Sequence, residues 1–373
     1  MAPYFNEAGA PPHSSQEEAA TLLARQKIED AMLAHLDNLT KPRGSLGKLE
    51  AYGIKMAGIQ HQVPPQIRKK GIYVFAGDQG ITEEGVSLYP AEVTYQMVLN
   101  MLSGGAGINA LAKGTGWEVI AVDAGVAGDF PPDEDLPPQR SCRFIRAKIG
   151  KGCRNFYKTQ AMSAEDVVKT LEQGKRLADD AQEQGYDLVA IGDLGIGNTS
   201  TAAAMLIAAG FSPDEMVDRG TGIDQERLEH KKRIIREAVA LRKPAQTGAA
   251  IIEQVGSFDL GMMSGFILGL AGKRIPCVLD GFPVTAAAYV AAMINPQVKE
   301  FLFAGHQSKV AGHRPVLDKL GLSPIVSLDM HLGEGTGAVI GGYIIELAVL
   351  TARTMASFSQ AQVSGKDIVE EKY

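Results

Sequence analysis

A single acidic side chain, Glu334, stands among glycines in "HLGEGTGAVIGG" (331–342). Gly333, Gly335 and Gly337 remove side-chain cover around it, so a second molecule could approach the carboxylate closely. Partial burial would lift such a group's pKa toward neutrality and make it a proton acceptor. The competing assignment is a carboxylate at the start of the following helix, where the dipole pulls the pKa down. The two predict opposite titration. Asp329 and His331 flank the turn, but a metal site needs more convergent ligands than any local cluster here offers. The chain lacks a Gly-x-Ser-x-Gly elbow and a convincing cysteine nucleophile.

Other segments pair glycines with polar groups. "GDLGIGNTSTAAA" (192–204) reads as strand, glycine turn and helix start. Backbone N–H groups in such a turn could cradle a phosphate, with Thr199, Ser200 and Thr201 capping or donating. It matches neither the Walker loop nor a dependable dinucleotide fingerprint, and a tight turn capped by Asn198 or Thr199 is the plainer alternative. "GTGIDQERLEHKKRIIREAVALR" (220–242) opens another glycine turn before a basic helix, from which Lys231 or Lys232 could reach a phosphate or simply face solvent. In "AGHQSKVAGH" (304–313), Ser308 sits with His306 and Lys309 in a candidate ligand loop, or caps a helix. "TKPRGSLGKLE" (40–50) is either a rigid basic loop carrying Lys41 and Arg43 or a turn between helices.

These groups need a scaffold, and the chain repeats one grammar. Short apolar runs end in small or acidic residues: "GIYVFAGDQG", "WEVIAVDAG", "YDLVAIGDLGIG", "RIPCVLDGF", "EFLFAGH" and "PIVSLDMHLGEG". Most precede helix-like segments. Near-continuous apolar strands alternating with helices predict an α/β fold, with a mostly parallel sheet covered by helices on both faces. Ligands bind beyond the carboxyl ends of such strands, where Asp78, Asp123, Asp193, Asp280, His306 and the Glu334 loop would gather. Residues 18–62 read as helices around a turn. Residues 163–185 read as an amphipathic helix with a Ser163 cap and a Gly185 stop. "PPDEDLPPQR" (131–140) reads as a surface loop. A small helical domain from 1–64, with 340–373 contributing, would accompany a large α/β catalytic domain over 65–339.

Composition excludes several classes. The chain has 373 residues, 45% hydrophobic and 21% charged, with net charge −6, so bulk electrostatics do not favour a nucleic-acid partner. Three cysteines without CxxC spacing suggest a reducing compartment with neither a disulfide framework nor a zinc site. Residues 1–20 lack the regions of a secretion signal and read as a short flexible lead. "GAVIGGYIIELAVLTA" contains Glu346 and reads as a buried helix, with no membrane association expected. The default address is the cytoplasm.

Nearly the whole chain, from "LDNLTKPRGSLGKLE" through "FAGDQGITEEGVSLYPAEVTYQMV", "GDLGIGNTSTAAAM", "GTGIDQERLEHKK" and "DGFPVTAAA" to "HLGEGTGA", resembles the nicotinate-nucleotide–dimethylbenzimidazole phosphoribosyltransferases. The resemblance implies a Rossmann-like sheet and the assembly of the lower-ligand nucleotide of cobamides (vitamin B12). Nicotinate mononucleotide would donate its phosphoribosyl group to an aromatic base, giving an α-ribotide and nicotinate, with no cofactor and no metal. Glu334 would be the general base. Gly195, Ile196, Gly197, Asn198, Lys231 and Ser308 would hold the donor phosphate and ribose. Asp193, Tyr89, Gln96 and Met97 would line the acceptor site. A homodimer, or a heterodimer with a paralogous chain, is implied. Two positions depart from the family pattern: Asp193 where Glu is frequent, and Gln79 where His is frequent. They keep open a phenol or p-cresol acceptor giving an O-linked ribotide, and a non-catalytic nucleotide-binding partner subunit stands as a further alternative.

Overall fold

The computed structural model describes residues 15–136, 140–218 and 224–364, with the side chains of 15–21 left out. The first fourteen positions of the expected lead, residues 137–139 of the expected surface loop and the glycine turn at 220–222 lie outside the described residues. Internal contacts divide the chain into two compact units: Arg68–Gly342, and a helical unit combining residues up to Ile67 with those from Tyr343 onward.

The larger unit is built on seven strands: β1 Lys70–Gly77, β2 Glu118–Gly125, β3 Arg143–Arg146, β4 Leu188–Leu194, β5 Cys277–Leu279, β6 Leu302–Gln307 and β7 Pro324–Ser327. Their order is β3-β2-β1-β4-β5-β6-β7, and each adjacent pair is parallel. All eight residues of β1 are buried. Successive side chains of a strand point to opposite faces, so unbroken burial means that helices cover both. Chain direction across the sheet reverses between β1 and β4, the position where open α/β sheets leave a crevice at their strand ends.

The helix Ala164–Glu183 opens with the expected box, in which Ser163 accepts from Asp166 N–H while Asp166 accepts from Ser163 N–H. It packs on the apolar helix Phe258–Gly272, which also lies against β1.

In the helical unit, Met32, Leu36, Leu39, Ala57 and Ala352 form a separate core. Lys41 is buried, and its Nζ donates to Glu50 Oε1 at 2.8 Å. Glu50 Oε1 also accepts from Leu46 N–H at 3.0 Å. The segment 40–50 is thus a turn braced by its own ion pair, with the Lys41 charge spent internally. The helix Thr336–Thr354 begins in the larger unit and ends in this one. It is long and apolar enough to cross a membrane, yet 56% of that stretch is buried, as in the core helix of a soluble protein.

Candidate active site

Segments that follow β1, β4, β5, β6 and β7 line one cleft. Tyr89, Asp193, Gly195, Ile196, Gly197, Asn198, Lys231 and Ser308 all line it, together with Thr199, Asp280, Phe282, Val284, His306, His331 and Leu332. Residues nearly 250 positions apart therefore meet because a parallel sheet brings all its carboxyl ends to one side. Gln96 and Met97 are not among the lining residues. They lie on the helix Glu92–Leu102, Gln96 exposed and Met97 half-buried. That helix reaches the glycine loop through buried Thr94, whose Oγ1 accepts from Ile196 N–H at 3.1 Å. Nothing in the chemistry of a lone threonine marked it in the sequence.

The loop after β4 is shaped by close packing as well as by any ligand. A Cβ on Gly195 would lie 2.5 Å from the Gly77 carbonyl oxygen at the end of β1. Gly197 has φ +89° and precedes the helix Asn198–Ala208. The N-cap position is Gly197, which has no side chain to offer, while Asn198 Oδ1 accepts from the first-turn Thr199 N–H at 2.7 Å and its Nδ2 donates to Asp193 Oδ2 at 2.8 Å. Thr199 faces the cleft, whereas Ser200 and Thr201 are buried in the core and are not phosphate donors.

Lys231 is buried on the helix Gln225–Arg242, which excludes the solvated-face assignment. Its Nζ donates to Thr199 Oγ1 at 3.0 Å and to the Asp218 carbonyl at 3.3 Å. Burial lowers its pKa to about 8, so it remains a cation near neutrality. The Asp218 charge favours the ammonium, whose hydrogen bonds go to neutral oxygens on the wall of a cleft, where an anion would find a cation. Ser308 does not cap the helix His313–Leu320, which starts after Gly312. Its Oγ accepts from Val310 N–H at 3.3 Å, and its N–H donates to His313 Nδ1 at 2.9 Å.

Glu334 lies in the turn after β7, 3% exposed, with φ +58°. Gly333, next to it, lines the cleft. Its Oε2 accepts from Ile108 N–H at 3.1 Å, at the start of the helix Gly107–Thr115. Both expected influences therefore act, although the helix N-terminus is a different helix from its own. Burial wins: it raises the pKa, the Ile108 and Gly107 N–H groups oppose it, and the Asp280 charge adds to the rise.

Asp193 and Asp259 form a second acidic feature beneath the cleft. Asp259, fully buried, accepts from Gln79 Nε2 at 2.7 Å and from Ser257 Oγ. The charge of Asp259 acts on Asp193, whose Oδ1 is buried with no hydrogen-bond partner among the described residues. Desolvation and mutual repulsion hold Asp193 well above the carboxylate range, and burial lifts Asp259 to about 6. Two buried neighbouring carboxyls cannot both ionise cheaply, so each makes the other harder to ionise. Gln79 and Asp193, the two departures noted in the sequence, thus belong to one network through Asp259, an acid hidden in an apolar run. Among the described residues, no group of three or more His, Cys, Asp or Glu is placed to hold a metal ion.

The cleft thus brings together a buried lysine ammonium and a glycine loop at the sheet's switch point, with Glu334 in the turn beside Gly333 although not itself among the lining residues. A family model described as "Phosphoribosyltransferase" matches residues 23–363. A nicotinate-nucleotide–dimethylbenzimidazole phosphoribosyltransferase of Geobacter sp. (strain M21) is 45% identical over 345 residues, covering 91% of this chain and 97% of the relative. The enzyme of that name from Desulforamulus reducens is 46% identical over 332 residues, covering 88% and 92%. The crystal structure of CobT from Thermus thermophilus superposes with a TM-score of 0.85 at 39% identity, covering 91% of this chain and 99% of that one. The chain belongs to the nicotinate-nucleotide–dimethylbenzimidazole phosphoribosyltransferase family.

Proposed function

We propose that this phosphoribosyltransferase moves the phosphoribosyl group of nicotinate mononucleotide to dimethylbenzimidazole, with Glu334 as general base, in the assembly of a cobamide lower ligand. The family membership supports the reaction, and the named relatives favour dimethylbenzimidazole over a phenol. The observation that carries the mechanism is the burial of Glu334 at the cleft edge with a raised pKa.

The donor's C1′–N bond breaks, and its electron pair neutralises the pyridinium ring as nicotinate leaves. The benzimidazole nitrogen lone pair forms the new bond to C1′ from the opposite face, inverting it to the α-ribotide. The other ring nitrogen loses its proton to Glu334. The leaving group is already cationic and needs no proton, so one base suffices. Lys231 and the 195–198 loop hold the phosphate and Ser308 the ribose side, while Tyr89 and Asp193 face the acceptor; fixing both reactants supplies much of the remaining acceleration. Gln96 and Met97 would join the acceptor site only from the adjoining helix. We assign the chain to the cytoplasm, in keeping with its three buried free cysteines, and to a homodimer.

The test is mass detection of the ribotide from nicotinate mononucleotide with dimethylbenzimidazole, adenine, phenol or p-cresol. The N-linked benzimidazole ribotide should dominate. An O-linked phenolic product as the major species would overturn the acceptor assignment. Glu334→Gln should lose about 100- to 10,000-fold in kcat while retaining donor binding. Retained turnover in that variant would remove the base assignment.

A further inference from the structure

We propose that Asp280 is a positioning residue for the transfer reaction: its carboxylate clamps the backbone of the turn that presents Glu334. The inference rests on the assignment of Glu334 as base. Asp280 follows β5 and is 2% exposed. Its Oδ2 accepts from Gly335 N–H at 3.1 Å, and its Oδ1 accepts from Gly337 N–H at 2.8 Å and Ala338 N–H at 3.2 Å. One side chain thus satisfies three backbone donors immediately after Glu334, including those at the start of the helix Thr336–Thr354. On the other side, Glu334 N–H donates to the Asp193 carbonyl at 3.2 Å. The base is therefore fixed between the ends of β4 and β5.

That restraint has something to oppose. Glu334 holds φ +58°, a conformation that disfavours a residue with a Cβ and persists only when its surroundings impose it. His306 braces the clamp: its Nε2 lies 3.5 Å from Asp280 Oδ1, and its ring packs so closely on Gly337 that a Cβ there would strike it. The titratable groups around the turn are Asp193 with Asp259 behind it, Asp280, His306, and His331 within the loop. The helix Gly107–Thr115 contributes the N–H groups of Gly107 and Ile108. Of these, Asp280 acts on Glu334 as a like charge, which makes the base a better proton acceptor.

Asp280→Asn keeps the shape but loses the charge, and its Nδ2 would face a backbone N–H. Its kcat should fall about 10- to 100-fold, as expected for a reacting group shifted by an ångström or less. KM for nicotinate mononucleotide should stay within about threefold, because the loss concerns the reacting geometry and not donor binding. The acid limb of the kcat/KM profile should move to lower pH, since Glu334 loses its anionic neighbour. A helix cap with no catalytic consequence would move neither kcat nor the limb in folded enzyme. If Asp280→Asn does not fold, Asp280→Glu replaces it: charge retained and reach altered, it should lower kcat with the acid limb in place. Wild-type kcat and an unmoved limb in folded Asp280→Asn, or wild-type kcat in Asp280→Glu, would overturn the proposal. Glu334→Gln run alongside separates the failures. If that variant is inactive while the Asp280 variants are normal, the clamp falls and the base stands; if it turns over normally, the base assignment has failed first.

Discussion

The acidic residues at the strand ends differ in what they do, and burial alone does not sort them. Asp78 Oδ2 accepts from Ala127 N–H at 2.7 Å, and Asp123 Oδ1 accepts from Val126 N–H at 3.0 Å. Both serve as local braces for the loops after β1 and β2. Asp193 and Asp259 instead both hold their protons above the ordinary carboxylate range, which has a thermodynamic consequence. Their folded-state pKa values lie above those of unfolded carboxyls, so the folded protein holds protons that the unfolded chain has released. The pair's favourable contribution is complete below the unfolded value near 3.8 and is lost as pH rises through about 6 for Asp259. Asp259→Asn removes a titrating member, while its amide can still accept from Ser257 or Gln79. Between pH 4 and 7.5, the fall in urea-unfolding free energy should be smaller in the variant than in wild type. Each pKa unit is worth about 1.4 kcal/mol, so the difference should be on the order of 2 kcal/mol. Equal falls in the two proteins would show that burial does not raise the Asp259 pKa in the folded state.

Elements were legible where one physical rule governed them. β1, β2, β4 and β6 are buried along nearly their whole length and wrote continuous apolar runs into the sequence. β3, "RFIR", was not recognised, because a four-residue edge strand with arginines at both ends leaves no such run. Strand order was also invisible, since it depends on which helices cross which face. At the site, glycine-flanked Glu334 and the 195–198 loop stood out by local pattern. Asp259 did not, because only the packing of its helix carries it to Asp193. That packing depends on glycine. A Cβ on Gly265 would strike the Leu171 carbonyl, one on Gly174 the Met262 carbonyl, and one on Gly269 would come 2.6 Å from Ala178 Cβ. The helices Ala164–Glu183 and Phe258–Gly272 therefore touch nearly backbone to backbone. Gly265→Ala should force them apart and cost roughly 1–3 kcal/mol, read as a lower urea midpoint with an unchanged m-value. Tolerance of alanine at both Gly265 and Gly174 would mean that the contact is softer than its geometry implies.

At the scale of the whole molecule, the cleft mouth carries exposed apolar side chains. Tyr89 and Leu332 line it at 52% and 61% exposure, with Leu88 beside the first and Leu328 on the same loop as the second at 40% and 54%. Exposed large apolar side chains close to a cleft mark an association surface when they form a contiguous patch. A second copy of the chain meets the requirement without a new partner, because the same patch on both copies is complementary about a two-fold axis. Light scattering at micromolar concentration should therefore give twice the 39.7 kDa chain mass. A Leu328→Glu/Leu332→Glu double variant should give the single mass, because each buried glutamate would leave an unpaired charge at the contact. Neither residue is assigned a role in proton transfer or phosphate binding. A monomeric variant with unchanged kcat but raised KM for dimethylbenzimidazole would tie assembly to acceptor capture. A wild-type chain that scatters as a monomer at assay concentration, and still turns over, would show that the apolar rim serves the substrate alone.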